Sequence, residues 1–491
     1  MTYSFNIRYK GNDRIIIMFF IILLYLALPL WLLVSKNVKK VRKKKRDVED
    51  TTFSIEKVPK TDVIVIGSNV SGLACAAALS KAGHKVLVLE KEDKLGGSFV
   101  YTEKAGCIFE TSYQDVGSLI RTRPLIDWLT EKQIWWSRIT DKNNAYLSVS
   151  DTCHFYNSFY TTRRTIKQKK LWKHVDAYEM CEKKLYEKIN DLYIPERLCC
   201  ILQEICCRKY IEYKNTSTID FLTYFCDITE KKEQQHFIAY IGTGPNDVLE
   251  KIDCTVLLDK LLHYKHGAYY NVTGSKGIVN ELKHTIEYHG GTILTKANVS
   301  SVKKEGVIVV NEHEISAKYI VSSLPYHKTQ ELIPHIEQIA EVKTLYKKIY
   351  GLLSVENYKH VDKMIVQDDS IIRCSSNKMN KNEEEKNSIT FEMVTKDSID
   401  KEKMSETFVN MLKDYKVEWA DIKTSTLPLV HYTKNLRPYT SDKQIYVCGK
   451  DIVHTKGLLG RLEAGYKTAN VLCGYGTLLD IVSNRELMYD I

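Results

Sequence analysis

Gly67-Ser68-Asn69-Val70-Ser71-Gly72 is the segment whose residue types and spacing carry the clearest chemistry. It joins an apolar run, Asp62-Val-Ile-Val-Ile-Gly67, to an alanine-rich stretch from Ser71 to Gly83. A second apolar run from Lys85 then ends in an acid, Glu90, 23 positions after Gly67. A glycine-bounded loop between strand and helix lets backbone N–H groups approach an anion, and the helix N-terminus favours negative charge there. An acid at the end of the next strand suits the ribose hydroxyls of the same dinucleotide. The unit predicts a diphosphate lying against the amides of Ser68 through Gly72. Asn69 stands where a second glycine would let the backbone come close. The expectation is a strained or left-handed backbone at Asn69, and an Asn69→Gly variant that holds or improves nucleotide affinity. A doubly wound unit that holds no nucleotide is the plain structural alternative.

Two further constellations belong with this loop. Lys91 follows the acid directly, and Gly96-Gly97-Ser98 comes a few residues later. At the far end, Ile445-Tyr-Val-Cys-Gly449-Lys-Asp451 runs a strand into a glycine and an acid, and Gly457-Leu458-Leu459-Gly460 opens a helix. Other groups read as structural. Cys199, Cys200, Cys206 and Cys207 lack Cys-x2-Cys spacing and nearby histidines, so small buried side chains on a helix are expected rather than a metal site. His263, His266 and His284 are not at ligand spacing either, and no metal is expected. Trp135 and Trp136 suit either a pocket wall or the core. No nucleophile elbow or Walker loop is present.

Here the chain resembles the FAD-dependent amine oxidase and phytoene desaturase superfamily, and within it the retinol saturases and carotenoid isomerases. The resemblance rests on the β-α-β unit and on Val88 to Ser98. It also rests on Gly106-Cys-Ile-Phe109-Glu-Thr-Ser112-Tyr-Gln114-Asp-Val-Gly117, where Ser112 and Gln114 replace a glycine and a histidine. Leu125 to Trp135, His263 to Ser275 and the C-terminal strand-turn-helix complete it. It implies a flavin held by Gly67, Ser68, Asn69, Val70, Ser71, Gly72, Glu90, Lys91, Gly96, Gly97, Ser98, Val302, Gly449, Asp451, Leu458 and Leu459. Asp451 would meet the ribityl or diphosphate portion, and the last helix would point its N-terminus at the ring, where a helix dipole suits the electron-rich edge of a reduced flavin. Arg461 and Glu463 stand where the family has small or amide residues.

These residues need elements to carry them. At 491 residues, with 44% hydrophobic and 27% charged, the chain is globular and long enough for two or three compact units. The expected fold class is α/β. A doubly wound, Rossmann-like FAD domain of the glutathione-reductase type is assembled from 61–140, 262–330 and 440–491. An inserted α+β substrate domain comes from 141–261 and 331–439. Thr165 to Leu262 reads as largely helical, without a glycine from Gly117 to Gly242, and Ser375 to Ser388 as a polar surface loop.

Residues 1–60 read as a membrane anchor and linker. Ile15 to Val34 is a 20-residue run without charge, about the thickness of a bilayer core as a helix. Residues 1–46 hold eleven Lys/Arg against Asp13, which accounts for the whole net charge of +10, and the rest of the chain balances 60 bases with 60 acids. The body therefore offers no cationic surplus, and a nucleic-acid partner is excluded. Most of these bases follow the apolar run, so the body is expected on the cytosolic side of a single span. A cleaved signal peptide is the alternative. Reduced thiols fit a cytosolic body, and of the sequons at Asn69, Asn215, Asn271 and Asn298 the first lies inside the loop.

The resemblance implies an oxidoreductase of the endoplasmic reticulum membrane acting on a lipid-like polyene. The implied reaction saturates the 13,14 double bond of all-trans-retinol or a related retinoid or carotenoid, with NAD or NADP as a candidate electron source. Two alternatives stand beside it. One is a non-catalytic binder of prenylated or lipid ligand on the same fold, as in Rab GDP-dissociation inhibitors, and the other is an FAD-dependent amine oxidase.

Overall fold

The computed structural model describes residues 51–474, apart from 105–106, 111–115, 118, 139–144, 150–151, 156–165, 191, 193, 239–243, 265–267, 357–361, 368–369, 377–385, 396–416, 433–435 and 454–456. The apolar run Ile15–Val34, the basic run after it, Ser112, Gln114 and His266 lie outside the described residues. Among the described residues no helix is long and apolar enough to cross a membrane.

Val-Ile-Val-Ile and Val-Leu-Val-Leu are β-branched or aliphatic throughout and form strands buried on both faces, β1 (Val63–Ile66) and β2 (Val86–Leu89). Between them runs helix α1 (Val70–Lys81), whose alanines let it lie close to the sheet. Farther along come α2 (Glu196–Cys206), α3 (Gly274–Tyr288), β3 (Thr292–Leu294), β4 (Val299–Val302), β5 (Tyr319–Ser322), β6 (Ile445–Val447) and α4 (Gly457–Leu472).

Five of these strands form one parallel sheet in the order β3-β2-β1-β5-β6. The chain builds outward from β1 on one side and returns to β1's other flank with β5. The switch point therefore lies between β1 and β5, where such sheets open a crevice at their C-terminal ends. Val63, Val65, Val86 and Val88 face a core shared with α1, α3 and α4. Ile64, Ile66, Leu87 and Leu89 face a second core on the other side. Each such side chain contributes about 1.5–3 kcal/mol by leaving water. α4 lies directly on α1: a Cβ on Gly465 would sit 2.2 Å from the Ser71 carbonyl oxygen, so only glycine fits.

The stretch expected to be helical is so. Helices run over Ile166–Ala177, Lys183–Asn190, α2, Arg208–Lys214, Lys231–Ile238 and Cys254–Tyr264. They enclose their own core, in which the rings of Tyr186 and Tyr210 stack at 4.1 Å. Lys183 and Asp259 form an ion pair at 2.5 Å with both side chains almost fully buried.

A second, larger sheet pairs Ala340–Glu356 with Val417–Tyr432 and Lys386–Thr395, all antiparallel. Its far end recruits Ala145–Val149, parallel to Asp362–Gln367, so strands from both sides of the helical insert share one sheet. Strands Ser370–Ser376 and Lys386–Thr395 flank the expected polar loop, most of which is outside the described residues.

The cysteine cluster sits on and just after α2, with Cys199 and Cys207 buried, Cys200 half-buried and Cys206 exposed. All four are free thiols, and no metal-ligand cluster exists among the described residues. Trp135 fits neither expectation offered for it: it is 67% exposed, while Trp136 packs partly buried against the α1 core.

Candidate functional site

The site is built at the C-terminal end of β1. Gly67 leaves the strand at φ +89°, a conformation that favours glycine, and its amide still donates to Leu89 O at 2.8 Å. Gly72 has no room for a side chain, because a Cβ there would meet Gly67 O at 2.4 Å. These two glycines let the chain turn within six residues and enter α1 against the strand it has just left.

Asn69 departs from the sequence-based expectation. Its backbone is extended (φ −63°, ψ 166°), neither left-handed nor strained. It is the N-cap of α1: its Oδ1 accepts the Gly72 N–H at 3.0 Å, and its Nδ2 donates to Ser323 O at 2.6 Å. The side chain is turned back onto the protein and satisfies one of the four unpaired N–H groups that open a helix. Ser323, just past β5, is the partner that sequence reasoning missed. Its hydroxyl donates to Ile66 O (2.9 Å) and Gly67 O (3.0 Å), which locks the loop across the switch point. The only local signal was a Ser-Ser pair at a strand end, and nothing in the sequence joins residue 323 to residue 67.

Glu90 is buried at the end of β2. Its Oε2 accepts from the Ser68 N–H (2.8 Å) and the Ser68 hydroxyl (2.6 Å), and its Oε1 from the Glu92 N–H (3.0 Å). The acid thus braces the loop. Gly96 closes the other flank, with its N–H on Ser68 O at 3.0 Å, and Gly97 packs against Asn69.

The remaining residues that the resemblance implied are placed as follows. Leu458 and Leu459 open α4 with side chains buried in the α1 core, which leaves their backbone N–H groups as the polar feature of that end. Gly449 and Asp451 follow β6 beside the end of β5. A Cβ on Gly449 would meet Leu324 O at 2.6 Å, and Asp451 accepts the Tyr326 N–H at 3.1 Å. Asp451 also bonds the Tyr432 hydroxyl, and burial together with this carboxylate pushes that phenol well above its usual pKa. Val302 ends β4, buried in the core on the sheet face away from α1. Lys91 is exposed and pairs with Glu92 at 3.4 Å, outside this network. Ser98 is exposed and takes a hydrogen bond from Arg461 at 2.7 Å.

Within the loop, Asn69 accounts for the Gly72 N–H and Asn69 O for the Leu73 N–H. The Ser71 N–H has no acceptor among the described residues, and the Val70 N–H faces Gly96 O across the Asn69–Gly96 bridge without a close hydrogen bond. Weakly held donors at a helix N-terminus, framed by glycines, fit one phosphate group of a dinucleotide.

A parallel sheet with an anion cradle at its switch point, and a C-terminal helix returning over that cradle, defines a dinucleotide-binding oxidoreductase fold. The chain belongs to the flavin containing amine oxidoreductase family, whose pattern matches residues 70–373, and with the family comes its cofactor, FAD. It is similar to all-trans-retinol 13,14-reductase of Rattus norvegicus, 28% identical over 350 residues that cover 65% of this chain and 56% of the relative. A Danio rerio protein described as an inactive all-trans-retinol 13,14-reductase is 27% identical over 343 residues, covering 63% and 55%. The chain thus spans little more than half the length of these relatives. Among solved structures, putrescine oxidase superposes with a TM-score of 0.58 at 14% identity, covering 84% of this chain and 99% of its own. A Rab GDI from Plasmodium falciparum superposes with a TM-score of 0.51 at 12% identity, covering 84% and 98%. At such identities the structural likeness establishes the fold alone.

Proposed function

We propose that this protein is an FAD-dependent oxidoreductase that saturates a carbon–carbon double bond of a lipid-like polyene, the 13,14 bond of all-trans-retinol or of a related retinoid. The observation that carries the reading is the cradle at β1, with the Ser71 N–H unpaired at the mouth of α1, in a chain similar to retinol reductases.

When bound, a reduced flavin would supply the hydride, which carries both electrons, and a proton from the medium would complete the saturated bond. The protein's own residues do the rest. Val70 and Ser71 bind a phosphate; Ser68, held by Glu90, keeps the loop at fixed distance from β2; and the N-terminus of α4 sets a positive dipole end over the cradle. Asp451, Lys91 and Val302 are assigned to the cofactor only as part of this proposal. The helical insert and the larger sheet form the substrate side, where exclusion of water protects a reactive polyene. A nicotinamide nucleotide is the proposed source of electrons.

The same reading places the protein at the endoplasmic reticulum membrane, held by Ile15–Val34 with its body in the cytosol. An apolar substrate partitions into the bilayer beside it. Carbonate extraction that leaves the protein in the pellet supports the anchor, and release contradicts it.

A second reading has a specific observation behind it: a relative of similar identity is described as inactive. A non-catalytic lipid binder would keep the fold and lose turnover. Incubation of the purified protein with all-trans-retinol and a chemical reductant separates the two. Formation of 13,14-dihydroretinol supports the enzyme. Flavin-loaded protein that converts no retinoid supports the binder.

A further inference from the structure

Arg461 is a cation without a counter-charge. It lies in the second turn of α4, and among the described residues no carboxylate pairs with it. Burial is the single cause that lowers its pKa, and no neighbouring charge opposes it. Its contacts are the Ser98 hydroxyl, 2.7 Å from Nη1, and the Phe99 ring, 4.9 Å from the guanidinium carbon. A half-buried guanidinium held by one neutral hydroxyl and a ring face keeps donors that an anion can complete.

Its position says which anion. Arg461 is four residues before Gly465 and so shares its helix face. Gly465 is the point where α4 touches α1, backbone to backbone at Ser71 and Cys75. One turn back toward the N-terminus of α4, Arg461 lies against the turn that holds Ser98 and Phe99. Ser98 and Phe99, its two contacts, directly follow Gly97, which packs on Asn69, the N-cap of that helix. The guanidinium and the N–H groups that open α1 therefore lie in one region. The pattern of the flavin family does not foresee this, because small or amide side chains are its usual choice at position 461.

We infer that Arg461, positioned by Ser98 and Phe99, binds the diphosphate of the dinucleotide cofactor and supplies the positive charge that the neutral 67–72 loop lacks. This inference rests on the flavin reading. A planar guanidinium with free donors suits phosphate oxygens in a way that a point charge does not.

Titration of the flavin-stripped full-length protein with FAD, ADP and riboflavin tests it, with Arg461→Met and Arg461→Lys beside the wild type. Arg461→Met, which keeps an apolar stem over Phe99, should weaken FAD and ADP by about tenfold or more, the order expected for a charge-assisted bond. It should leave riboflavin, which has no diphosphate, unchanged, and should flatten the salt dependence of FAD binding. Arg461→Lys should fall between. Wild-type FAD affinity in Arg461→Met overturns the inference alone, as does an equal loss of riboflavin and FAD, which would mark a ring contact or a packing role. If Arg461→Met does not fold, wild-type FAD affinity and salt dependence in Arg461→Lys with unchanged melting would overturn it as well. Wild-type protein that binds neither FAD nor ADP overturns the flavin reading, and this inference with it.

Discussion

At the scale of single residues, the loop is held by side chains that were read as cofactor ligands. Asn69 caps α1 and ties it to Ser323, so Asn69→Ala should lower stability by about 0.5–2 kcal/mol, as lost N-caps do. Asn69→Gly should cost less at the cap but also lose the bond to Ser323, so flavin affinity should fall rather than improve. Paired thermal melts and flavin titrations check both, and tighter flavin binding by Asn69→Gly would show that the side chain obstructs the ligand after all. Glu90→Ala leaves the Ser68 N–H, the Ser68 hydroxyl and the Glu92 N–H without their acceptor. It should weaken flavin binding by about 1–3 kcal/mol. Gly72→Val should abolish binding, because its side chain would collide with Gly67 O. Much of this was legible in the sequence: the glycines, the acid and their spacing. The extended backbone of Asn69 departs from what a glycine pattern suggests, because an Asn three residues before Gly72 at the mouth of an alanine-rich helix is also a capping signal. Ser323 was not legible, since its contact with the loop spans more than 250 residues.

At the scale of elements, the helical insert depends on a buried charge pair. Removing Asp259 takes the short ion pair from a buried Lys183 and leaves it the longer one, 3.9 Å to Glu187, so Asp259→Ala should destabilise by up to about 3–5 kcal/mol, read as a large drop in melting temperature. A drop no larger than that of a surface substitution would mean that the pair is solvated. His174 in the same insert is bonded to the Tyr213 hydroxyl at 2.7 Å, and burial first, then Lys209, holds its pKa below that of an ordinary histidine. Its folded pKa is depressed, so the unfolded chain takes up the proton first. Stability should therefore fall as pH drops below about 6.5, the ordinary value, and through the lower folded value. His174→Gln should flatten that decline, and pH-dependent melts from pH 8 to 5 measure it. The insert's helicity was legible in its long stretch without glycine. The pairing of Ala145–Val149 with Asp362–Gln367 was not, because alternation marks a strand and does not name its partner.

At the scale of the whole molecule, the order β3-β2-β1-β5-β6 brings three distant stretches of sequence into one sheet, with the proposed cofactor cradle at its switch point. The stretches between them build the larger sheet and the helical insert. The fold class could be read from the β-α-β unit and the returning strand-turn-helix. The substrate could not, because flavin chemistry resides in the cofactor and leaves no nucleophile or acid pair in the sequence to mark it. The fold is shared by oxidases and by a Rab GDI, so it does not decide between enzyme and binder. One anaerobic spectrum does. The bound flavin is reduced in the purified protein, all-trans-retinol is added, and the oxidised-flavin absorbance is followed. The account predicts that this band returns in step with loss of retinol, one flavin reoxidised per double bond saturated. A protein that carries and keeps no flavin, or whose reduced flavin stays reduced before every retinoid offered, would contradict it.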